Sequence, residues 1–253
     1  MRKPFIIGIG GVHSGAGKTT LAAALLRHLV TSSLPGFRAC RTWGAIKYTR
    51  TAFYSSVADD TAIIGQKGKD TRRLLDAGAE QVLWVQSPAD GLEEVMPMAI
   101  DRLLHLDGIL IEGNSAIEFI KPDIVIFISG ESRNNIKPSA KAVLKLADII
   151  IVPEKSVPDN SFETTGKAAI IETKNFPKGL DEKLIKDLIN CMDIKIINRE
   201  KIKQLLKERS VDSRIPCSTA RKIAEELKVH YKEVGKAANE LKIKIKNCEL
   251  GCF

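Results

Sequence analysis

Residues 10–20 read Gly-Gly-Val-His-Ser-Gly-Ala-Gly-Lys-Thr-Thr. Glycines this dense let backbone N–H groups close around an anion, and a lysine and two hydroxyls follow at once. Ser14, Gly15, Ala16, Gly17, Lys18, Thr19 and Thr20 are therefore the candidate phosphate cradle. In such a cradle the lysine reaches the β- and γ-phosphates and the first threonine offers its hydroxyl to Mg²⁺. The usual spacing is Gly-x-x-x-x-Gly-Lys-Thr, and this chain has Val12 at the first glycine position. A second signal is Ile109-Leu110-Ile111-Glu112, an apolar run that ends on an acid. A carboxylate at such a strand end can approach Mg²⁺ or position a water, which pairs Glu112 with Lys18 as the catalytic candidates. Asp59 and Asp60, in a polar loop, are alternative carboxylates for the same metal.

Two further clusters carry chemistry. Lys69, Arg72 and Arg73 gather at a helix start, where they suit a second phosphate-bearing ligand. Asp70 falls where an acid favours a helix N-terminus. Cys217, Cys248 and Cys252 could bring three thiolates together for a zinc ion, another soft metal or part of an iron–sulfur cluster. The chain has five scattered cysteines, an odd number, which argues against a disulfide framework.

The elements that must position these residues alternate. Phe5–Ile9 reads as a strand, and Thr19–Val30 as a helix with Leu21, Leu25, Leu26 and Leu29 on one face. Strands are expected over Arg41–Tyr48, Gln81–Val85, Ile109–Glu112, Ile124–Ile128, Ile149–Val152 and Ala168–Glu172. Helices are expected over Thr71–Ala77, Leu92–Leu106 and Asp181–Asn190. Strands that are apolar throughout, with helices between them, imply an α/β fold whose mostly parallel sheet is covered on both faces. A short strand over Ile194–Ile197 closes this domain, residues 1–197. Residues 198–253 form a small basic unit with helices over Glu200–Glu208, Ser218–Lys228 and Tyr231–Leu241 and a strand-like Ile243–Lys246. The last two helices have helix-turn-helix spacing.

The chain of 253 residues is 44% hydrophobic, enough to bury a sizeable core. No apolar run approaches the ~18 residues of a membrane span, and no signal-peptide layout opens the chain, so a cytoplasmic protein is expected. The formal charge is +8. From Asn198 onward there are 14 Lys and Arg against 8 Asp and Glu. A basic unit of this kind suits nucleic acid or an anionic cofactor, although no recognition-helix signature stands out and nucleic acid is not the expected partner.

Four stretches carry a family resemblance: Val12–Leu21, Ala45-Ile46-Lys47-Tyr48-Thr49, Gly68–Ala79 (Gly-Lys-Asp-Thr-Arg-Arg-Leu-Leu-Asp-Ala-Gly-Ala) and Ile109–Gly113. Through them the chain resembles the molybdopterin-guanine dinucleotide biosynthesis protein B (MobB) family over about residues 4–155. That family consists of P-loop GTPases related to metallochaperone GTPases. The resemblance implies Mg²⁺ and GTP as ligands, with ATP not excluded, and slow hydrolysis. It implies that Lys47, Lys69, Asp70 and Arg73 face the nucleotide or a molybdopterin-type cofactor. It further implies a homodimer and a partner nucleotidyltransferase in molybdenum-cofactor maturation. His13 replaces the extra lysine of the partitioning-ATPase loops, which argues against their catalysis. No Asn-Lys-x-Asp guanine reader follows Ile149–Val152, where Pro153-Glu154-Lys155-Ser156 stand instead. The competing readings are a metal-delivery NTPase using the terminal cysteines, a regulatory protein that binds nucleotide and, through its tail, DNA, and a P-loop small-molecule kinase.

Overall fold

A computed structural model of the protein describes residues 3–31, 42–130, 136–154, 168–174, 176 and 179–247. The chain forms two compact units, Met1–Ile189 and Asn190–Phe253. In chain order the first contains β1 (Phe5–Gly11), α1 (Lys18–Thr31), β2 (Trp43–Arg50), β3 (Ser56–Ala58), α2 (Thr61–Ile64), α3 (Asp70–Leu75) and β4 (Gln81–Ser87). It continues with α4 (Leu92–Arg102), β5 (Gly108–Glu112), α5 (Asn114–Ile120), β6 (Ile124–Ile128), α6 (Pro138–Leu146), β7 (Ile149–Pro153) and β8 (Ala169–Thr173). Helix α7 (Glu182–Arg209) begins in this unit, and the division falls inside it.

The eight strands form one sheet in the order β3-β4-β2-β5-β1-β6-β7-β8, parallel except for the edge strand β3. Every residue of β5 and β6 is buried, as the unbroken Gly-Ile-Leu-Ile-Glu and Ile-Val-Ile-Phe-Ile runs require of strands covered on both faces. One helix group, α1 and α3, packs on β2 together with β1, β4 and β5; a second, α4, α5 and α6, covers strands from β3 to β6. This is the α/β layout expected from the alternation of apolar runs and helical periods.

Aspartates secure the entry end of the sheet. Asp107 Oδ2 accepts from the Thr42 N–H and hydroxyl, Asp123 Oδ2 from the Ile6 N–H, and Asp148 Oδ2 from the Val125 N–H, at 2.8–3.1 Å. Each thus satisfies a donor at the start of a neighbouring strand, where the ladder has not yet begun. The exit end is left for function. From β1 the chain crosses β5 to reach β2 on one side, and from β5 it crosses back over β1 to β6 on the other; the crevice beyond the carboxyl ends at such a reversal is the usual ligand position in these sheets.

The sequence reading fails at Ile194–Ile197, which is helical and lies inside α7. Three isoleucines favour a strand locally, but the buried Leu184, Ile185, Leu188, Ile189, Met192, Ile202 and Leu206 recur at helical spacing on both sides. Ile194 itself is exposed. The expected domain boundary at residue 198 also falls within this helix.

In the second unit, the end of α7 is followed by β9 (Arg214–Pro216), α8 (Cys217–Leu227), α9 (Tyr231–Glu240) and β10 (Lys244–Lys246). β9 and β10 pair in parallel. Ile202, Leu206, Ile215, Ala220, Ile223, Ala224, Val234, Ala237, Ala238 and Ile243 make its own buried core.

One glycine tests the packing of the first core. Trp43 is completely buried, and a Cβ on Gly108 would lie 2.6–2.7 Å from its ring atoms. Gly108→Ala is expected to lower stability by about 1–3 kcal/mol through overpacking, read as a fall in the urea midpoint. An unchanged midpoint would show that the ring moves aside freely.

Candidate functional site

The candidate site begins where β1 ends. Gly10 has no room for a side chain, since a Cβ there would lie 2.6 Å from Val143 and 3.0 Å from Asn114, and one on Gly11 would sit tightly against Ala16 and Lys18 at 3.2–3.3 Å. Asn114 clamps this exit, with its Oδ1 accepting from the Gly11 N–H (3.0 Å) and its Nδ2 donating to the Gly11 carbonyl (2.9 Å). Val12 is buried, and its N–H donates to the Ile128 carbonyl at 3.0 Å. The residue that departs from the usual glycine spacing therefore packs the loop onto β6. Gly15 (φ 83°) and Gly17 (φ 90°) adopt the left-handed region that turns the chain back into α1.

Helix α1 opens at Lys18 with no acid in its first turn, so the N–H groups of its first turn meet positive charge and no carboxylate of their own. Lys18 Nζ donates to the His13 carbonyl at 2.8 Å, folding its side chain back over the loop. Burial lowers the Lys18 pKa, helped by the charges of Lys47 and Lys137; Glu112 and Asp70 offset this only in part.

Strand register brings the acid and the second lysine together. Lys47 on β2 and Glu112 on β5 are directly paired positions, so their side chains leave the sheet on the same side. Lys47 Nζ lies 2.5 Å from Glu112 Oε1, 2.7 Å from Asp70 Oδ2 and 3.4 Å from Thr19 Oγ1. The Thr19 hydroxyl lies within 2.8–3.0 Å of both Glu112 oxygens. Glu112 is only 1% exposed and Asp70 is half-exposed at the start of α3. For Lys47, burial works to lower the pKa, but the charge of Glu112 and hydrogen bonds to both acids outweigh it and raise it. For Asp70, burial works to raise the pKa, and Lys47, with Thr19 and Arg73, outweighs it and leaves it lowered.

These groups line one cleft of about 830 Å³. Ser14, Gly15, Gly17, Lys18, Thr19, Thr20, Lys47, Asp70, Arg73 and Glu112, all singled out above, line it. The cleft also takes in Tyr48, Arg50, Asn114, Ser115, Lys137 and Ser139, which sequence reasoning had not singled out as site residues. Their position at the carboxyl end of β2, just past the end of β5 and at the start of α6 is the signal that marks them. Five basic side chains, Lys18, Lys47, Arg50, Arg73 and Lys137, face two acids. Such a cleft favours a polyanion.

Other candidates lie elsewhere. Ala16 is buried in the loop, outside the cleft lining. Lys69 places its ammonium 5.8 Å from the centre of the Trp84 ring, and Arg72 pairs with Asp76 at 2.7 Å. Of the basic residues at the start of α3, only Arg73 lines the cleft, donating to Thr20 Oγ1 at 2.9 Å. Asp59 pairs with Arg102, and Asp60 caps α2 through the Ala62 N–H. Cys217 is buried at the start of α8, while Cys248 and Cys252 lie outside the described residues. Among the described residues no three His, Cys, Asp or Glu side chains cluster to hold a metal. Two of the three thiols of the expected soft-metal site thus lie outside the described residues.

The Lys47–Glu112 pair is testable. Lys47→Met leaves a buried carboxylate without its cation and is expected to cost about 3–5 kcal/mol. Adding Glu112→Gln should recover most of that loss, giving a large coupling in a double-mutant cycle of urea unfolding. Additive losses would show that the two side chains do not depend on each other. The raised Lys47 pKa also sets a sign. Its contribution is complete below the ordinary lysine value of 10.5 and is lost only as pH rises through the higher folded value.

No family model matches the chain, and no curated protein is similar enough to it to count as a match.

Proposed function

We propose that the first unit is a P-loop NTPase that binds a Mg²⁺–nucleoside triphosphate in the cleft between β1, β2 and β5 and hydrolyses it slowly. One observation carries this reading. The glycine loop, the start of α1 and Lys18 converge with the Thr19–Glu112–Lys47 cluster in a single cationic cleft. The N–H groups of the loop and helix start would cradle the phosphates. Lys18, now turned onto the His13 carbonyl, is free to exchange that acceptor for a phosphate oxygen.

The donor set suits magnesium. A hydroxyl and a carboxylate are hard oxygen donors, and a magnesium ion is commonly held by one or two protein oxygens together with substrate phosphates and water. Thr19 would bind the ion directly, and Glu112 would hold it or one of its waters. Bound there, Mg²⁺ would neutralise charge on the phosphates during transfer. Lys47 and Asp70 hold Glu112 and Thr19 in place at the rim of the phosphate end. Arg50, Arg73 and Lys137 supply the charge for the outer phosphates or for a second anionic group.

Guanine as the base, and a role in molybdenum-cofactor maturation with a nucleotidyltransferase partner, rest on the resemblance of Gly68–Ala79 and its neighbours. Within that stretch Asp70 and Arg73 reach the cleft, which supports a ligand contact there. Titration with fluorescent GTP and ATP analogues in the presence of Mg²⁺ tests both levels. Binding lost in Lys18→Ala is expected, with GTP preferred. Equal or tighter ATP binding would remove the GTPase reading and favour a kinase or a metal-delivery ATPase. No binding of either nucleotide would remove the NTPase reading altogether.

The lowered Lys18 pKa gives a second test. A polyphosphate beside the ammonium must raise that pKa again, so binding takes up protons at alkaline pH. Calorimetry in two buffers of different ionisation enthalpy, at a pH just below the ordinary lysine range, should show uptake in the wild type and none in Lys18→Met. Proton release would contradict the placement of Lys18 on the phosphates.

A further inference from the structure

The second unit carries a surface that the nucleotide cleft does not use. Helix α8 stops in a Schellman turn: the Val229 N–H donates to the Ala224 carbonyl (2.9 Å) and the Lys228 N–H to the Glu225 carbonyl (3.2 Å). Lys228 takes the left-handed conformation (φ 53°) that this turn needs. His230 then caps α9, its Nδ1 accepting from the Lys232 N–H at 3.2 Å. A connection of Lys228, Val229 and His230 thus joins two helices at helix-turn-helix spacing.

Helix α9 has two unlike faces. Val234, Gly235, Ala237 and Ala238 are buried, and these small residues let it approach the Ala220, Ile223 and Ala224 side of α8 closely. Lys232, Lys236 and Asn239 are exposed and recur at i, i+4 and i+7, so they form one stripe along the helix. Just beyond, Lys244 and Lys246 are exposed on either side of Ile245 in β10.

The unit's acids are largely engaged by other cations, including Glu240, which adjoins the stripe four residues after Lys236. Glu226 pairs with Arg209, and Glu240 pairs with Arg199 and Lys203. Glu225 accepts from the Tyr231 hydroxyl. Glu233 is the remaining acid of α9 and is half-buried. Among the described residues, Lys232, Lys236, Lys244 and Lys246 form no ion pair.

We propose that this unit binds double-stranded DNA, with α9 as the helix that enters the major groove. An asparagine can pair with both hydrogen-bonding groups on the adenine edge and a lysine with the guanine edge, which is the chemistry Asn239, Lys232 and Lys236 present. Lys244 and Lys246 supply point charges for flanking phosphates. A protein partner is less well matched. Interfaces of that kind are anchored by exposed apolar or aromatic side chains, and among the described residues the exposed large apolar residues of this unit, Ile194 and Val211, are not on α9. This surface stands independently of the nucleotide reading.

The test uses the full chain and a short fluorescent duplex, with anisotropy followed across a salt series. Binding should weaken steeply with salt, and Lys244→Ala with Lys246→Ala should reduce the logarithmic salt slope by about 2. The double reversal Lys232→Glu, Lys236→Glu should abolish binding while leaving the helical circular dichroism and nucleotide affinity unchanged. Asn239→Ala should flatten the sequence preference recovered from a random duplex pool. Absence of binding at low salt would overturn the proposal. So would binding unaffected by the double reversal, or competition by polyglutamate as effective as competition by duplex.

Discussion

Glu112 is a carboxylate with 1% of its surface exposed, placed at the end of a central strand. A buried acid is tolerated only with strong partners, and here there are two, the Lys47 ammonium and the Thr19 hydroxyl. Much of the site follows from meeting that demand. The β2–β5 register must set Lys47 opposite Glu112, and α1 must begin where its second residue reaches the same carboxylate. Asp70 then shares the ammonium, which ties the start of α3 to the cleft. A one-residue slip of β2 would turn Lys47 to the other side of the sheet and leave the acid without its cation.

The glycine loop is held just as tightly, but by backbone. Asn114 bonds both polar groups of Gly11, Val12 hangs on Ile128, and Gly10 has no room for a side chain. These contacts join β1 to the segments following β5 and β6, so the loop's shape depends on the whole sheet exit. A preorganised set of donors of this kind loses little conformational freedom when an anion arrives. The strain of positive φ is confined there to Gly15 and Gly17, where no Cβ opposes it.

Much of this was legible in the sequence because local and global preferences agree. The unbroken apolar runs of β1, β5, β6 and β7 could only be central strands, and Gly-x-Gly-Lys-Thr after the first of them marked the cleft. Aspartates just before β5, β6 and β7 were visible too, although their bonds to neighbouring strands were not. The Lys47–Glu112–Asp70 cluster was named piecemeal, since its residues are far apart in sequence and meet only through strand register and helix packing. Lys69 and Arg72 looked equivalent to Arg73, but a helix turn sends their side chains to Trp84 and Asp76. At Ile194–Ile197 a β-branched cluster overrode the longer helical period, and the period decides. The stripe on α9 was legible only indirectly: Val234, Ala237 and Ala238 recur at helical spacing as an apolar set, and their burial leaves Lys232, Lys236 and Asn239 facing outward.

The central claim is that Thr19 and Glu112 share a metal with nucleotide phosphates above the glycine loop. Pulsed electron–nuclear double resonance on Mn²⁺ substituted for Mg²⁺, with the protein and a non-hydrolysable GTP analogue, tests it most directly. The expected spectrum shows phosphorus couplings from bound phosphates, lost in Thr19→Ala and in Lys18→Ala. Protein-bound Mn²⁺ without phosphorus coupling, or couplings that persist in both variants, would place the metal elsewhere and contradict the assignment.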